Sequence, residues 1–253
     1  MTGEAAPRTG IRLTVADLRL RSLALARKLR SLKAQTTLPE GPWYPYDIFG
    51  NLKRLWRLLG PCFDLGPFVA EGVYDIGTAD GDMALLLDSF GVQVAAIDNP
   101  STNCNRMAGV RRLCAAQNAR VSVHEFDIDS CLPLPCGRRS LALFLGTLYH
   151  LKNPLGALER IRESCDHCIL STRIAQATTD GRLQFGDQPV AYLLGHDECN
   201  HDATNYWILS HGGLLRLASR AGWTVLRSLR HGATRGSDPA ANDERAYLLL
   251  RRT

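Results

Sequence analysis

Aspartates and glycines at the ends of apolar segments are the residues of this 253-residue chain best suited to bind a ligand. The first such segment runs into Asp75-Ile-Gly77-Thr-Ala-Asp80-Gly81, and the glycines allow a tight turn and a close approach of a ligand to the backbone. Asp98 ends the next segment, 21 residues after Gly77. A carboxylate at that spacing can accept both hydroxyls of a ribose.

The charge and shape of this loop indicate the kind of ligand. The full G-x-G-x-x-G of dinucleotide binders is absent, and Asp75 would repel a pyrophosphate but attract the ammonium group of an amino acid. Asp127 and Ile128 end a third apolar segment, where side chain and backbone can meet an adenine. The pattern therefore favours a ligand with an adenine, a ribose and a cationic tail but no phosphate. S-adenosylmethionine meets this description and NAD does not.

A fourth apolar segment runs into Gly146-Thr-Leu-Tyr149-His150-Leu. We predict that Tyr149 and His150 face the acceptor of a transferred methyl group and act in catalysis. The ordinary pKa of histidine, near 6.5, suits removal of a proton from an O–H or N–H acceptor at neutral pH. The alternative is a histidine that hydrogen-bonds the neighbouring loop.

Alternating strand-like and helix-like segments predict the scaffold. From Glu71 onward the pattern is typical of a parallel sheet covered by helices. We predict an α/β, Rossmann-like, seven-stranded mixed sheet with its last strand antiparallel, helices on both faces and an N-terminal helical extension. The predicted strands are Gly72–Ile76, Val92–Asp98, Arg120–Glu125, Leu141–Gly146, His167–Thr172, Trp223–Leu229 and Arg245–Arg251. The predicted helices lie near 81–90, 103–117, 153–164 and 211–221, with Asn153 as an N-cap, Pro154 at N1 and Gly222 after the last helix. Asp80 either caps the helix that follows it or takes part in ligand binding by the loop.

The N-terminal quarter carries the basic excess of the chain. Residues 1–60 hold 11 basic and 4 acidic side chains, whereas residues 61–253 hold 19 and 21. A helix is predicted to begin at Thr14 with Asp17 in its first turn. Its basic side chains form either a footprint for a polyanion such as RNA or the solvated face of a packed helix. The apolar face of that helix comprises Leu18, Ser22, Leu25, Leu29 and Leu32.

Two further segments are expected to contact substrate. The first follows Leu38, contains prolines and aromatic residues, and leads to a short helix over Leu52–Leu59. We divide the chain into a basic helical extension with this cover segment, 1–60, and a cofactor-binding domain, 61–253. Within that domain, an insertion near 173–208 is longer than a connection needs, which favours a lid. The expected substrate contacts are Trp43, Tyr46, Arg173, Tyr192, His196, Asn205, Tyr206 and Trp207.

Composition excludes several classes of protein. With 45% hydrophobic and 22% charged residues, the chain is neither disordered nor a coiled-coil rod, and no run is long enough to span a bilayer. The first ten residues lack the apolar run of a secretory signal, so we expect a cytoplasmic protein with reduced thiols. Cys165-x-x-Cys168 has no second pair, and the His/Asp-rich stretch 196–202 has no recognisable ligand spacing; we expect no metal.

Several stretches in order resemble a known superfamily. VYDIGTADG, AAIDNP, FDI and LPLPCGRRSLALFLGTLYHLKNPLGALERI resemble the successive motifs of class I S-adenosylmethionine-dependent methyltransferases, over roughly residues 70–230. The resemblance implies S-adenosylmethionine as cofactor. It implies the methionine and ribose side for Asp75, Gly77, Thr78 and Gly81, the ribose for Asp98, the adenine for Asn99, Asp127 and Ile128, and a place under the methionine for Gly146.

A finer resemblance concerns the acceptor. PWYPYDIFGN, GTLYHLKNPL and NYWILS are similar to segments of the wobble-uridine tRNA carboxymethyltransferase group. That group has a lysine in the segment matching WYPY, whereas this chain has none between Pro39 and Asn51, which favours ordinary S-adenosylmethionine. We predict methyl transfer to O or N of a small-molecule acceptor, of the kind met in specialised metabolism. The alternatives are a tRNA-modifying methyltransferase and a non-catalytic nucleic-acid-binding relative. The sequence predicts no oligomeric state.

Overall fold

The architecture is a central sheet between two layers of helices. The computed structural model describes residues 12–199, 202–232, 239–240 and 244–253. Its helices are α1 Val15–Ala34, α2 Asn51–Leu59, α3 Gly66–Val69, α4 Asp82–Asp88, α5 Ala108–Gln117, α6 Pro154–Ser164 and α7 His211–Arg220. Its strands are β1 Val73–Ile76, β2 Val94–Asp98, β3 Ser122–Glu125, β4 Arg139–Leu145, β5 Cys165–Arg173, β6 Ala191–Leu193, β7 Trp207–Leu209, β8 Trp223–Gly232 and β9 Glu244–Arg252.

Seven of these strands form the predicted mixed sheet, in the order β3-β2-β1-β4-β5-β9-β8. The pairs among β1 to β5 are parallel, with Val73 opposite Val94 on one side and Leu141 on the other. β9 runs antiparallel to both β5 and β8. The order reverses between β1 and β4, so the carboxyl ends of these strands open a crevice for a ligand. The predicted fold class is confirmed.

The two faces of the sheet are buried against different helices. Alternate residues of β4 divide between them, with Leu141 and Leu143 on the side of α1, α2, α4 and α5, and Ala142 and Phe144 on the side of α6 and α7. All four residues of β1, VYDI, are buried. A strand buried on both faces is expected to be mostly apolar, and three of these four residues lack a charge.

The local signals at helix ends are mostly confirmed. Thr14 and Asp17 form a reciprocal capping box, and the Asn153 side chain accepts from the Gly156 amide. Gly222 follows α7 with a φ of +80°. The predicted start of α5 at 103 is wrong, because the Asn103 side chain accepts amides of the turn before it and the helix begins at 108.

The N-terminal segment is packed against the main sheet. Leu18 and Leu29 of α1 are buried in the same hydrophobic cluster as β1, and Leu25 and Leu32 pack against that cluster. Four basic side chains of α1 are exposed, namely Arg21, Arg27, Lys28 and Arg30. The packed-helix interpretation is therefore confirmed for the apolar face. Residues 1–11 of the predicted extension lie outside the described residues, and the division at residue 60 stays a prediction.

The insertion after β5 builds a small layer of its own. Tyr192 of β6 pairs with Ile208 of β7 in a two-stranded antiparallel sheet that the sequence does not predict. Phe185, Leu194 and Ile208 form a separate hydrophobic cluster with Ala175 and Cys199. Residues 200–201, 233–238 and 241–243 lie outside the described residues. Within the described part of the chain, no helix is long and apolar enough to cross a membrane.

Candidate functional site

Asp75 and Thr78 form the floor of the crevice at the end of β1. Thr78 Oγ1 donates to Asp75 Oδ2 at 2.7 Å, and both side chains are buried. Burial raises the pKa of Asp75 to about 6, and the Thr78 hydroxyl opposes that shift. Among the described residues no lysine or arginine pairs with Asp75. The site therefore holds a carboxylate that a cationic ligand group would stabilise.

Asp98, at the end of β2, connects the loop to the next strand. Its Oδ2 accepts from the Ala79 amide and from Asn103 Nδ2, each at 2.9 Å, and its Oδ1 accepts from the Asn99 amide. Burial raises the pKa of Asp98 in spite of these donors. A carboxylate has about four acceptor positions, so roughly one remains for a ribose hydroxyl. A second position would open if the Asn103 side chain turned away.

Gly77 is required by the packing of the loop. Its φ is +73°, and a Cβ there would collide with the Thr147 hydroxyl at the end of β4. The loop after β1 and the turn after β4 are therefore in contact, which brings the predicted cofactor residues beside the predicted catalytic residues. Gly81, also predicted here, precedes α4 and packs on Val110.

The residues assigned to the adenine contact mainly their own turns. Asn99 Oδ1 accepts from the amide and hydroxyl of Ser101. Asp127 is exposed and its Oδ1 accepts from the Asp129 amide, as expected of an aspartate that caps a turn. Ile128 is buried, and its carbonyl accepts from the Arg160 guanidinium at 2.8 Å. Their role toward a nucleoside stays a prediction.

Asp80 ties the N-terminal segment to the loop, and it does not cap α4. Its carboxylate is fully buried, and its Oδ2 lies 2.9 Å from Lys33 Nζ of α1 and accepts the Tyr44 amide at 2.9 Å. Its Oδ1 accepts from Asn105 Nδ2 at 2.8 Å. Because Lys33 and Tyr44 are two of the three donors to Asp80, the segment after α1 is held against the loop that follows β1.

Tyr149 is the centre of a cationic cluster at the end of β4. The guanidinium carbons of Arg173 and Arg245 lie 4.9 and 5.5 Å from the centroid of its ring. Arg245 Nη1 is 3.7 Å from the position that a Cβ on Gly146 would take. Tyr44 interacts electrostatically with this group: burial raises the pKa of its hydroxyl, Tyr149 adds to that shift and Arg245 opposes it.

His150 is oriented by the insertion. Its Nδ1 is 2.9 Å from Thr204 Oγ1 and 3.2 Å from the Thr204 carbonyl oxygen. The Thr204 hydroxyl donates to Asp202 Oδ1 at 2.6 Å, so both Thr204 oxygens face Nδ1 as acceptors. Nδ1 must therefore carry the proton, which leaves Nε2 as the basic nitrogen of the neutral ring.

The charge state of His150 follows from its surroundings. Burial lowers its pKa, the Asp202 carboxylate opposes the shift, and the guanidinium groups of Arg173 and Arg245 add to it. The imidazole is thus uncharged at neutral pH. The two interpretations offered by the sequence are compatible, because His150 hydrogen-bonds the neighbouring loop through Nδ1 and keeps Nε2 for a base.

The structure separates the eight predicted substrate contacts into two groups. Arg173, Tyr206 and Asn205 lie near Tyr149. The Tyr206 amide donates to the Tyr149 carbonyl at 2.9 Å. Asn205 Nδ2 donates to the carbonyl of Cys199, and the Sγ of Cys199 accepts from Arg173. Of the other five, Tyr46 packs its ring against Tyr44. The remaining four have no described contact with Tyr149 or His150; their described contacts are Trp43 with Thr36, Tyr192 with Thr179, His196 with Asp197 and Trp207 with Lys152.

Several site residues escaped the sequence analysis. Tyr44 interacts electrostatically with Tyr149, and no spacing signal distinguishes it from Trp43 and Tyr46. Arg245 had a usable signal, since it is a charged residue at the start of the buried apolar run 246–250. Nothing in the sequence distinguishes Thr204 and Asp202 from other polar residues of the insertion. Their contact with His150 depends on a fold of the insertion that no periodicity predicts.

No metal centre is described. Among the residues that the structure describes, no group of three or more His, Cys, Asp or Glu side chains is arranged to hold an ion, and His201 lies outside them. Cys165 is the C-cap of α6 and the first residue of β5, and Cys168 is buried within β5.

Comparisons with known proteins identify the fold. No protein-family model and no curated protein match the chain. Among solved structures, the [4+2]-cyclase SpnF is similar over 97% of this chain and 99% of its own, with 17% identity and a TM-score of 0.56. The N-terminal domain of EvdMO1 with SAH bound matches over 97% and 100%, at 16% identity and a TM-score of 0.53.

An S-adenosylmethionine-dependent methyltransferase from Mesorhizobium loti matches over 72% of this chain and 90% of its own, at 15% identity and a TM-score of 0.55. The chain spans 50% of the matched structure of the mitomycin 7-O-methyltransferase MmcR. At these identities the similarity shows the Rossmann-like methyltransferase fold alone. The fold does not fix the reaction, since one of these structures is described as a cyclase.

Proposed function

We propose that this protein binds S-adenosylmethionine and transfers its methyl group to an oxygen or nitrogen of a small-molecule acceptor. The observation that carries the proposal is a pair of carboxylates near the ends of adjacent strands, the buried Asp75 and the half-buried Asp98. Among the described residues neither has a basic partner within 4.0 Å. Such a floor favours a cationic nucleoside and disfavours a pyrophosphate.

The residues present fit this cofactor. Asp98 would hold the ribose, Asp75 would attract the amino-acid ammonium, and the glycine turn at Gly77 would allow close approach to the backbone. When bound, the cofactor would supply an electrophilic methyl group on a sulfonium. Asn99, Asp127 and Ile128 are proposed for the adenine side.

On the acceptor side, the chain supplies a base and a wall. His150 would accept the proton of an O–H or N–H acceptor at Nε2, while the Thr204 oxygens hold the proton on Nδ1. Tyr149 is 8% exposed and would form the wall beside the reacting atoms. We propose that the insertion 173–208 acts as a lid that excludes water, since Tyr206 and Thr204 both contact this pair.

Transfer of labelled methyl from S-adenosylmethionine to separated small-molecule and RNA pools tests the proposal. Label in the small-molecule pool is expected, and Asp98→Asn is expected to reduce it at least tenfold. Asp166→Asn is the matched control. Asp166 lies at the start of β5, at the opposite end of the strands from Asp98, in an ion pair with Arg138. Equal labelling by the two variants would contradict the assignment of Asp98.

A second candidate, tRNA modification in the manner of the wobble-uridine carboxymethyltransferases, rests on the exposed basic face of α1. Arg21, Arg27, Lys28 and Arg30 present no described ion pair there. Label in the RNA pool, with a yield that falls steeply as salt rises, would favour it. Binding of S-adenosylmethionine without labelling of any pool would favour the non-catalytic relative. The cytoplasmic location remains a prediction of the sequence.

A further inference from the structure

A row of basic residues crosses the sheet beside the proposed acceptor position. Arg173 of β5 is directly paired with Arg245 of β9, which is directly paired with His231 of β8. Residues paired across neighbouring strands project on the same face of a sheet. Two guanidinium groups and an imidazole therefore stand side by side at the edge where β4 and β5 end.

The row continues onto α2. Arg54 Nη2 and Arg57 Nη1 lie 3.1 and 3.2 Å from the two ring nitrogens of His231. Burial lowers the pKa of His231, and Arg54, Arg57 and Arg245 add to that shift, so the imidazole is uncharged at neutral pH. The described side-chain partners of His231 are both cations, so they do not neutralise the positive charge of the row.

Arg245 lacks the counter-charge that such an arrangement calls for. Like charges at directly paired positions destabilise a sheet, and a buried or half-buried guanidinium normally has a carboxylate beside it. Within the described ranges no carboxylate lies within 4.0 Å of the Arg245 guanidinium, and its described contact is the ring of Tyr149. The nearby acids are engaged: Glu244 pairs with Arg230, and Asp202 accepts the Thr204 hydroxyl.

The position of Arg245 says which ligand would supply the missing charge. Its Nη1 lies 3.7 Å from where a Cβ of Gly146 would be, and its guanidinium shares Tyr149 with Arg173. This is the side of the crevice where His150 offers its base. An anion bound to Arg245 would therefore lie near the acceptor atom. It would be far from Asp98, which is proposed to hold the ribose of the cofactor.

We propose that Arg245, which lies on the ring of Tyr149 beside Arg173, binds an anionic group of the acceptor, so that the substrate of this protein is a small-molecule acid carrying a carboxylate or a phosphate. The inference rests on the proposed methyltransferase function and names its substrate class. Guanidinium forks suit both anions because they donate two parallel hydrogen bonds. The same carboxylate chemistry could come from the methionine moiety of the cofactor, so the experiment separates the two sources.

The first arm measures the charge of the product. A deproteinised cell extract is labelled with S-adenosylmethionine and passed over an anion exchanger at pH 8, and the label is expected in the retained fraction. Arg245→Gln is expected to lower incorporation at least tenfold, the loss typical of a charge-assisted hydrogen bond, and Arg245→Lys to lower it less. Arg251→Gln is the matched control, since Arg251 lies on the same strand and face at the opposite edge and should leave labelling unchanged.

The second arm measures cofactor binding by calorimetry with S-adenosylhomocysteine and with methylthioadenosine, which lacks the amino-acid group. Arg245→Gln is expected to change both affinities less than twofold. A variant that binds S-adenosylhomocysteine tenfold more weakly but methylthioadenosine normally would assign Arg245 to the cofactor carboxylate and overturn the proposal.

The remaining outcomes separate this inference from the function on which it rests. Label in the unretained fraction, or in RNA, overturns the acidic small-molecule substrate but leaves a methyltransferase. Failure of the unaltered protein to bind S-adenosylhomocysteine or to label any pool overturns the proposed function itself, and the substrate class with it.

Discussion

Lys33 of α1 and Asp80 of the cofactor loop form an ion pair of 2.9 Å across 47 residues of sequence. Asp80 is fully buried, and the lysine side chain is 18% exposed. Burial lowers the pKa of Lys33, but Asp82 and Asp80 outweigh it, so the pKa stands above its ordinary value and the ammonium stays charged. The N-terminal helix is therefore fastened to the residues that position the proposed ligand.

Removing the lysine should loosen this connection. Lys33→Met leaves the Asp80 carboxylate buried without its cation, and we expect a loss of about 2–4 kcal/mol in the free energy of unfolding. Lys28→Met on the exposed face of α1 is the control and should change stability by less than about 0.5 kcal/mol. Chemical denaturation measures both, and similar stabilities for the two variants would show that the ion pair does not hold the segment.

Gly41 should be as important as Lys33 for holding the cover segment. A Cβ at Gly41 would collide with the carbonyl oxygen of Cys104, in the loop that follows β2. Gly41→Ala should therefore displace Tyr44 and increase cleavage of residues 35–50 by a protease. Gly60→Ala is the control, because Gly60 also has a positive φ but no atom within 4 Å of its Cβ position. Equal protection of the two variants would contradict the close packing.

Asp75 is expected to lower stability at neutral pH in exchange for ligand binding. Its pKa rises from 3.8 to about 6 on folding, so the folded state holds its proton more tightly and stability falls as pH rises through that window. Asp75→Asn should raise the free energy of unfolding at pH 8 by up to about 3 kcal/mol, with little gain at pH 4. It should also bind S-adenosylmethionine more weakly.

The control for this measurement is Asp47→Asn, which replaces an exposed aspartate. A pH-independent gain at Asp75 would show that packing, and not ionisation, limits stability there.

The pH profile should report the orientation of His150. Burial and the two arginines lower the pKa of His150, so the ring stays neutral to a lower pH than an ordinary histidine does. We therefore expect kcat/KM to decline only at a pH below that ordinary value. Asp202→Asn removes the carboxylate that favours the protonated ring, so the acid limb should move to still lower pH. A shift of that limb toward higher pH would contradict the proposed contact through Thr204.

The contribution of the base can be measured separately. His150→Gln should lower kcat by about 10²–10⁴ for an acceptor that must lose a proton, with an unchanged affinity for S-adenosylhomocysteine. Tyr206→Phe is a suitable companion, because the Tyr206 contact to Tyr149 is made by its backbone amide and survives the change. A full rate in His150→Gln would mean that the acceptor reacts without a base.

The sequence predicts the central strands well because they are buried on both faces and are therefore mostly apolar, as in β1, whose four residues are all buried. It also predicts Asp75 and Asp98, since strand ends in such a sheet meet at one edge. The Lys33–Asp80 pair could not be predicted, because Asp80 stands where an N-cap is equally expected and its partners come from α1 and from residues 44 and 105.

The acceptor side depends on tertiary contacts of the insertion and of β9. Arg245 contacts Tyr149 only because β9 enters the sheet antiparallel beside β5, a pairing whose register sets which side chains reach the edge. Thr204 reaches His150 through a loop with no periodic pattern. Residues of this kind are identified by the neighbours that folding gives them, and a single sequence does not contain that information.

The most direct measurement is calorimetric titration of the protein with S-adenosylhomocysteine and, in parallel, with NAD. We expect saturable binding of S-adenosylhomocysteine in the micromolar range, at least tenfold weaker in Asp98→Asn, and no heat of binding with NAD. Tight uptake of NAD together with indifference to S-adenosylhomocysteine would show that Asp75 and Asp98 do not select a cationic nucleoside.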